Sequence, residues 1–282
     1  MMPMTKVRAT IVLVIYKQSL ADSESFRSLQ DNLAWLANQD VELILHDNSP
    51  APQPWPSLGE GLAVRYHHDA SNPGLATAYN LALHSACERG SDWLLLLDQD
   101  TRLEANYFAE LTQATTDLDA SCVCLVPRVS DGQRQISPMD CSKVRAQAYN
   151  RSGSTSDPIT AINSGACWRV SWLAASGGFN PEFPLDYLDH WAFHHARNQG
   201  RQLYVMASEV HQNLSISERN RVSRSRYESI YESEYRYYSR YHTDLFPSYR
   251  RHLPLRLIKQ LLLFRDKAIA LTTLRLMLRK PD

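Results

Sequence analysis

The chain has 282 residues, enough for one large domain or for a domain with an appendage. Its 44% hydrophobic and 21% charged content excludes a disordered class. Thirty basic residues against thirty acidic ones give a formal net charge of zero, so no global field attracts nucleic acid and any basic surface must be local. Five cysteines (Cys87, Cys122, Cys124, Cys141, Cys167) form an odd set without a CxxC pair, which fits a reducing compartment better than a disulfide framework. Cys122 and Cys124, in "SCVCLV", read as strand thiols rather than zinc ligands.

Near the amino end, "ATIVLVIY" (9–16) is β-branched and too short for the core of a signal peptide, and it predicts a first strand. No segment approaches the roughly 20 apolar residues that span a bilayer, so neither secretion by that route nor a membrane span is expected. Phe26, Leu29, Leu33 and Leu36 recur at helical spacing within "SFRSLQDNLAWLANQ". A second strand, "VELILHDNSP", ends in Asp47, Asn48 and Ser49, and "LAVRYHH" supplies a short third. In "NPGLATAYNLALHSACERG" Pro and Gly open a helix and Gly90 closes it.

The next strand, "DWLLLLDQDT", carries four leucines straight into two acids. A continuous apolar run of this length suits a central strand covered on both faces. Alternating strands and helices imply βαβ units and a mainly parallel sheet, and ligands bind at the carboxyl edge of such sheets. Asp98 and Asp100 point to one side of an extended chain and repel unless a cation or donors lie between them. The bland alternative is that one acid caps the following helix while the other is solvated.

From Pro127 to about Asp157 the chain turns polar and is expected to form strand or hairpin fragments and loops on the open face. Order returns with "DYLDHWAFHHARNQG", whose apolar stripe and terminal Gly predict a helix entered through acids. Beyond Arg219 the texture changes. "ERNRVSRSRYESIYESEYRYYSRYHTDLF" reads as a helix with tyrosines inward and arginines solvated, or as a source of arginines for phosphate. The last segment, residues 254–282, is basic and amphipathic; it either lies on an anionic membrane surface or packs its apolar face on the preceding domain. The expected division is 1–218 for the catalytic domain and 219–282 for a helical extension.

"IVLVIYK", "HDNSP", "NPGLATAYN", "DQD", "NSG", "DYLDHW" and the "VH" at 210–211, in this order over about residues 8–215, resemble inverting family 2 glycosyltransferases of the GT-A fold, in particular the bacterial rhamnosyltransferase branch. The resemblance implies an α/β, Rossmann-like, mainly parallel sheet flanked by helices. It also implies transfer of a sugar, with L-rhamnose from dTDP-rhamnose favoured, onto a glycan or lipid-linked oligosaccharide in bacterial surface polysaccharide synthesis. The setting would be cytoplasmic, peripheral on the inner face of the membrane.

Carried over residue by residue, Asp100 would ligate Mg2+ or Mn2+, with Asp98 near the ribose or the metal waters. Hard cations of this kind neutralise a departing diphosphate and prefer oxygen ligands. His211 would complete the metal shell, unless it is a surface histidine after a strand. Asp47 would bind the nucleotide base, with Tyr16 and Lys17 flanking it. Asn72, Gly74 and Asn80 belong to the helix entrance, where Gly permits close backbone approach and the helix amino end favours negative charge.

Inversion needs a carboxylate that takes the acceptor proton. The resemblance puts this base at Asp189 and leaves Asp186 as a cap or an acceptor contact. His190 and Ala192 depart from the family pattern, which bears on the acceptor rather than on the base. Competing readings are a family 2 transferase with a UDP-sugar donor, a sugar nucleotidyltransferase, and a non-catalytic nucleotide- or glycan-binding module. The nucleotidyltransferase would want a Gly-rich loop after the first strand, where "YKQSLADSES" has no glycine; the module would not need Asp98, Asp100 and Asp189.

Overall fold

The computed structural model describes residues 6–54, 58, 62–212 and 223–279. The boundary expected at 218–219 lies outside the described residues. In chain order the elements are β1 (Arg8–Ile15), α1 (Glu24–Asp31), α2 (Leu33–Asn38), β2 (Asp40–Asp47), β3 (Ala63–His68), α3 (Leu75–Arg89), β4 (Trp93–Asp98), β5 (Thr101–Arg102) and α4 (Ala105–Asp117). Then follow β6 (Cys122–Ser130), β7 (Gln135–Ser137), β8 (Met139–Asp140), β9 (Gln147–Ala148), β10 (Gly153–Thr155), β11 (Ile159–Thr160), β12 (Cys167–Arg169), α5 (Val170–Ala175), α6 (Leu188–Asn198) and β13 (Gln202–Gln212). Among the described residues the α-helices α7 (Arg224–Arg236), α8 (Phe246–Leu263) and α9 (Ala268–Leu278) follow, with a π-helical turn Tyr237–Tyr241 and a 3-10 turn Thr243–Leu245 between α7 and α8.

The main sheet runs β10-β13-β6-β12-β4-β1-β2-β3, with β5 on β13 and β7 on β6. β4, β1, β2 and β3 are parallel, as is the β13–β6 pair, whereas β12 runs antiparallel between β4 and β6. The strand order reverses about β1: the chain moves to β2 on one side and later to β4 on the other. That reversal opens a crevice at the carboxyl ends of β1 and β4. Val14 pairs with Asp98 and Ile15 with Asp47, so the three strand ends are level.

β1 and β4 are buried on both faces, which is why they read as unbroken apolar runs. On one face Val12, Val14, Leu94 and Leu96 pack under α3, α5 and α6, with Trp168 and Trp172 stacked at 5.6 Å. On the other, Ile11, Leu13, Leu95 and Leu97 pack with Phe26, Leu29 and Leu111 from α1 and α4. The helix expected over 25–39 is interrupted: Asn32 (φ −112°, ψ 25°) caps both α1 and α2, and Leu33 is left 37% exposed. A side-chain period continues through a break that backbone polar groups can terminate locally, so periodicity alone did not show it.

The polar stretch 127–157 forms the fragments expected. β7 and β10 extend the main sheet, while β8 and β9 join β11 in a separate antiparallel sheet. All five cysteines are free, and Cys122, Cys124 and Cys167 are buried.

The carboxyl-terminal helices share the core of the sheet: Tyr235, Tyr249, Leu253 and Leu276 belong to the same buried cluster as Leu94 and Trp168. Arg256 of α8 grips Glu234 of α7 with both terminal nitrogens, the Nη2–Oε1 bond being 2.7 Å, and Tyr249 donates to the same carboxylate at 3.3 Å. A fork of this kind satisfies a largely buried ion pair and fixes α8 against α7.

Candidate active site

A cleft of about 720 Å3 lies at the carboxyl ends of β1 and β4. Asp98 and Asp100 form part of its floor, with Gln99 between them; Tyr16 and Asn48 stand at the ends of β1 and β2, and Asn72 and Gly74 at the entrance of α3. The opposite wall comes from α7, through Arg226, Ser225 and Ser229. Of the nine residues expected at the site, the structure brings Tyr16, Asn72, Gly74, Asp98 and Asp100 to this cleft.

Local sequence explains how the floor is held. Asp98 closes β4, its N–H donates to Ser164 Oγ at 2.8 Å, and Tyr79 of α3 donates to its Oδ1 at 3.0 Å. Ser164 belongs to "NSG", whose Gly165 has φ +81° and whose added Cβ would lie 2.9 Å from Pro127 Cγ. Gly165 N–H donates to Leu96 O at 2.8 Å, which seats that motif against β4. Gln99 turns back to accept the N–H of Tyr16 at 2.7 Å, tying the ends of β1 and β4 together. Burial and the neighbouring Asp100 charge, with a smaller push from Asp189, raise the Asp98 carboxyl to about 7 against the bond from Tyr79. Burial also raises Asp100, opposed by its bond from Gln212.

Gly74 (φ +94°) lets the chain pass Pro184, whose carbonyl oxygen would be 2.3 Å from an added Cβ and which instead accepts the N–H of Ala76 at 3.1 Å. Lys17, Asn72 and Tyr187 are the non-glycine residues with positive φ among the described residues. They sit after β1, before α3 and before α6, so uncommon backbone conformations gather at the segments that build the site.

Four expected residues stand elsewhere. Asp47 is fully buried: Ser49 N–H binds its Oδ1 at 2.9 Å, and Tyr66 OH (2.6 Å) and Gln53 (3.3 Å) bind its Oδ2. It organises the turn after β2, and its neighbour Asn48 faces the cleft. Asn80 exchanges two 2.8 Å bonds with the backbone of Phe179 and staples the segment before α6 to α3. His211 meets Ser130 Oγ at 3.1 Å; side chains alternate along β13, so Gln212 is the one that reaches Asp100 Oδ1, at 2.9 Å.

Asp189 lies in the first turn of α6, outside the cleft wall but close enough for its charge to act on Asp98 and Tyr79. Its Oδ1 accepts from the backbone N–H of His190 at 2.7 Å and pairs with His190 Nδ1 at 2.9 Å. Burial pulls His190 down, but the Asp189 charge and bond outweigh it and leave it above the usual histidine value. Asp186, three residues earlier and before α6 begins, is held by Arg226 and by Ser229 Oγ at 2.8 Å.

No group of three or more His, Cys, Asp or Glu side chains is gathered to hold a metal among the described residues. The three-residue shell of Asp98, Asp100 and His211 is therefore not assembled. What is present fits a hard cation that takes water and phosphate oxygens for most of its shell: two adjacent carboxylates, and a buried Gln212 Oε1 without a hydrogen-bond partner.

The sequence assigns no role to Gln99, Ser164, Gln212 or Arg226, although Gln99 lies in "DQD" and Ser164 in "NSG". Gln99 and Gln212 each adjoin a named residue and were hidden by it. Arg226 is one arginine among several in its segment, and spacing does not say which one turns inward.

No protein-family model matches the chain, and no curated protein matches it. Among solved structures, the mannosyltransferase PcManGT from Pyrobaculum calidifontis, in complex with GDP-Man and Mn2+, superposes with a TM-score of 0.50 at 12% identity, covering 97% of this chain and 88% of that one. The fold is GT-A. S. aureus TarS gives a TM-score of 0.47 at 14% identity, with 96% of this chain covered and 43% of that one, so the chain spans less than half of TarS. Its 1-349 piece with UDP gives 0.48 at 12% identity, covering 96% and 88%. In GT-A terms the crevice between β1 and β4 is the carboxyl-edge site that the strand order creates.

Proposed function

We propose that the chain is an inverting, metal-dependent glycosyltransferase that moves a sugar from a nucleoside diphosphate onto a glycan acceptor. The observation that carries this is the Asp98/Asp100 pair, level with the end of β1 in the cleft of about 720 Å3, facing a cation on α7. PcManGT, which shares the fold, binds GDP-Man and Mn2+; ligands of this chemistry suit a cleft with two carboxylates on its floor and an arginine on its wall. Tyr16 and Asn48 stand where a base would lie, and Asn72, Gly74 and the amino end of α3 where phosphate oxygens would.

Asp98 and Asp100, with Gln212 at hand, are the residues that would hold Mg2+ or Mn2+. When bound, the cation would neutralise charge on the leaving diphosphate. The acceptor hydroxyl attacks the anomeric carbon and passes its proton to Asp189. The bond from that carbon to the diphosphate breaks, and its electron pair leaves with the phosphate oxygen. His190 holds one Asp189 oxygen throughout. Attack opposite the leaving group inverts the anomeric centre.

L-rhamnose from a dTDP donor is the preferred sugar, and a UDP-linked hexose, N-acetylhexosamine or galactofuranose is the second reading. A glycan of a bacterial surface polysaccharide, O-antigen or capsule, is the proposed acceptor. The test is thermal unfolding with UDP, dTDP, GDP, CDP and ADP, each with and without Mn2+. A ligand at about 100 times its dissociation constant stabilises by roughly 2.7 kcal/mol. A Mn2+-dependent rise with dTDP or UDP supports the reading and fixes the donor class; no rise with any nucleotide overturns it in favour of a non-catalytic fold.

A further inference from the structure

Of the two alternatives expected for the basic tail, packing on the preceding domain is realised by the inward faces of its helices. α8 turns Tyr249, Leu253 and Gln260 inward, and α9 turns Ile269, Ala270, Thr273 and Leu276 inward. The helices pack on each other, and Arg250 of α8 donates to Met277 O at 2.9 Å, so the pair is an antiparallel hairpin.

The outward faces are apolar as well. On α8 the stripe is Leu255, Ile258 and Leu262, at 66%, 54% and 73% exposure. On α9 it is Leu271, Leu274 and Leu278, spaced i, i+3, i+7, with Leu278 77% exposed. Single exposed leucines need no explanation; an exposed apolar stripe on each of two helices that pack on each other is the kind of surface that marks an interaction site.

The charges say what covers it. Arg251 and Lys259 lie on the α8 stripe and Arg275 on the α9 stripe, all exposed, while Arg265 and Lys267 occupy the turn between the helices. Asp266 is the single acid between 246 and 279. A second copy of this chain would set these cations against like cations. A surface that accepts leucines and carries negative charge fits, and an anionic bilayer is both. No helix among the described residues is long and apolar enough to cross a membrane, and a basic amphipathic hairpin suits the plane of a bilayer interface.

We propose that the outward face of α8 and α9 docks the protein on an anionic lipid surface, with Leu255, Ile258, Leu262, Leu271 and Leu274 entering the headgroup boundary and Arg251, Lys259 and Arg275 meeting lipid phosphates. This deepens the transferase reading by naming where its acceptor would be met, and rests on that reading only for the acceptor.

The experiment is flotation of the full chain with vesicles of phosphatidylcholine alone and with about one third phosphatidylglycerol, at low and high salt. The partners are a quintuple variant (Leu255→Gln, Ile258→Gln, Leu262→Gln, Leu271→Gln, Leu274→Gln) and a charge variant (Arg251→Gln, Lys259→Gln, Arg275→Gln). All eight positions are exposed and Gln is a good helix former, and circular dichroism with thermal unfolding checks that both variants fold.

Binding to anionic vesicles alone, falling about tenfold or more in each variant, is the expected result. Absence of anionic-vesicle binding by the full chain, or binding unchanged in both variants, overturns the proposal. So does a dimer of the full chain that the quintuple variant converts to monomer, since the patch is then an interface between copies. Nucleotide-induced stabilisation is read separately on the same proteins, so its failure removes the transferase reading while leaving vesicle binding to stand or fall alone.

Discussion

Arg226 of α7 binds Oδ2 of Asp186, a carboxylate left 8% exposed, and the same arginine forms part of the wall opposite Asp98 and Asp100. One ion pair thus ties the carboxyl-terminal helices to the entrance of α6, where Asp189 sits three residues on. Removing the arginine alone strands a nearly buried carboxylate with only Ser229 as donor, at a cost of about 2 kcal/mol. A double-mutant cycle of Arg226→Ala and Asp186→Ala should return a coupling of about 1 kcal/mol or more by chemical denaturation. Additive single effects would mean that the pair does not form in solution.

Asp100→Ala should abolish Mn2+-dependent stabilisation by nucleoside diphosphate. Asp189→Asn should keep that stabilisation and lower turnover about a hundredfold or more. Donor binding and single-turnover transfer measured on the same preparations separate the two roles, and normal turnover by Asp189→Asn would sink the assignment of the base.

Asn80→Ala leaves a buried N–H and C=O of Phe179 without partners and should lose about 2 to 3 kcal/mol of stability. Nucleotide affinity should stay unchanged, because Asn80 faces the 179 turn and not the cleft. A large affinity loss in a folded variant would return Asn80 to the donor site.

At Gly74, alanine must accept φ +94° and place its Cβ 2.3 Å from Pro184 O. The contact is backbone against backbone, so the segment before α6 has to move. Gly74→Ala should cost at least about 2 kcal/mol, read as a lower melting temperature, whereas Gly132→Ala, with nothing within 4 Å of its Cβ, bears only the strain of its own φ +83°.

His46 in β2 is buried, with Asn48 Oδ1 at 3.0 Å from Nε2 and the His67 ring 4.9 Å away. Burial first, and the His67 charge second, lower it from 6.5 to about 4, against the raising effects of Asn48, Asp69 and Asp47. Between those values the unfolded chain binds a proton that the native chain refuses, so stability falls as pH drops from 6.5 toward 4. The full effect is about 3 kcal/mol. The difference in unfolding free energy between pH 7.5 and pH 4.5 should shrink in His46→Gln; an unchanged difference would place the acid sensitivity elsewhere.

Much of the sheet could be read from the residues. Apolar runs in β1, β2 and β4 and the Pro–Gly opening of α3 are local signals, and acids placed directly after a buried strand mark its carboxyl edge. The sequence by itself therefore determined the parallel core and the position of Asp98 and Asp100. It could not determine which polar side chains share that edge. A polar residue at a strand end or in the first turns of a helix is equally at home in a cleft or in a turn, and Asp47 after β2 and Asn80 in α3 spend their hydrogen bonds on Ser49, Tyr66 and Phe179 instead. In β13 the two-residue period, once the register with β5 was formed, turned Gln212 rather than His211 toward Asp100. Only the tertiary structure brought Arg226 to the cleft from more than a hundred residues away, because the packing of α7 on α9, and of α8 on Glu234, decides which arginine of that segment faces inward.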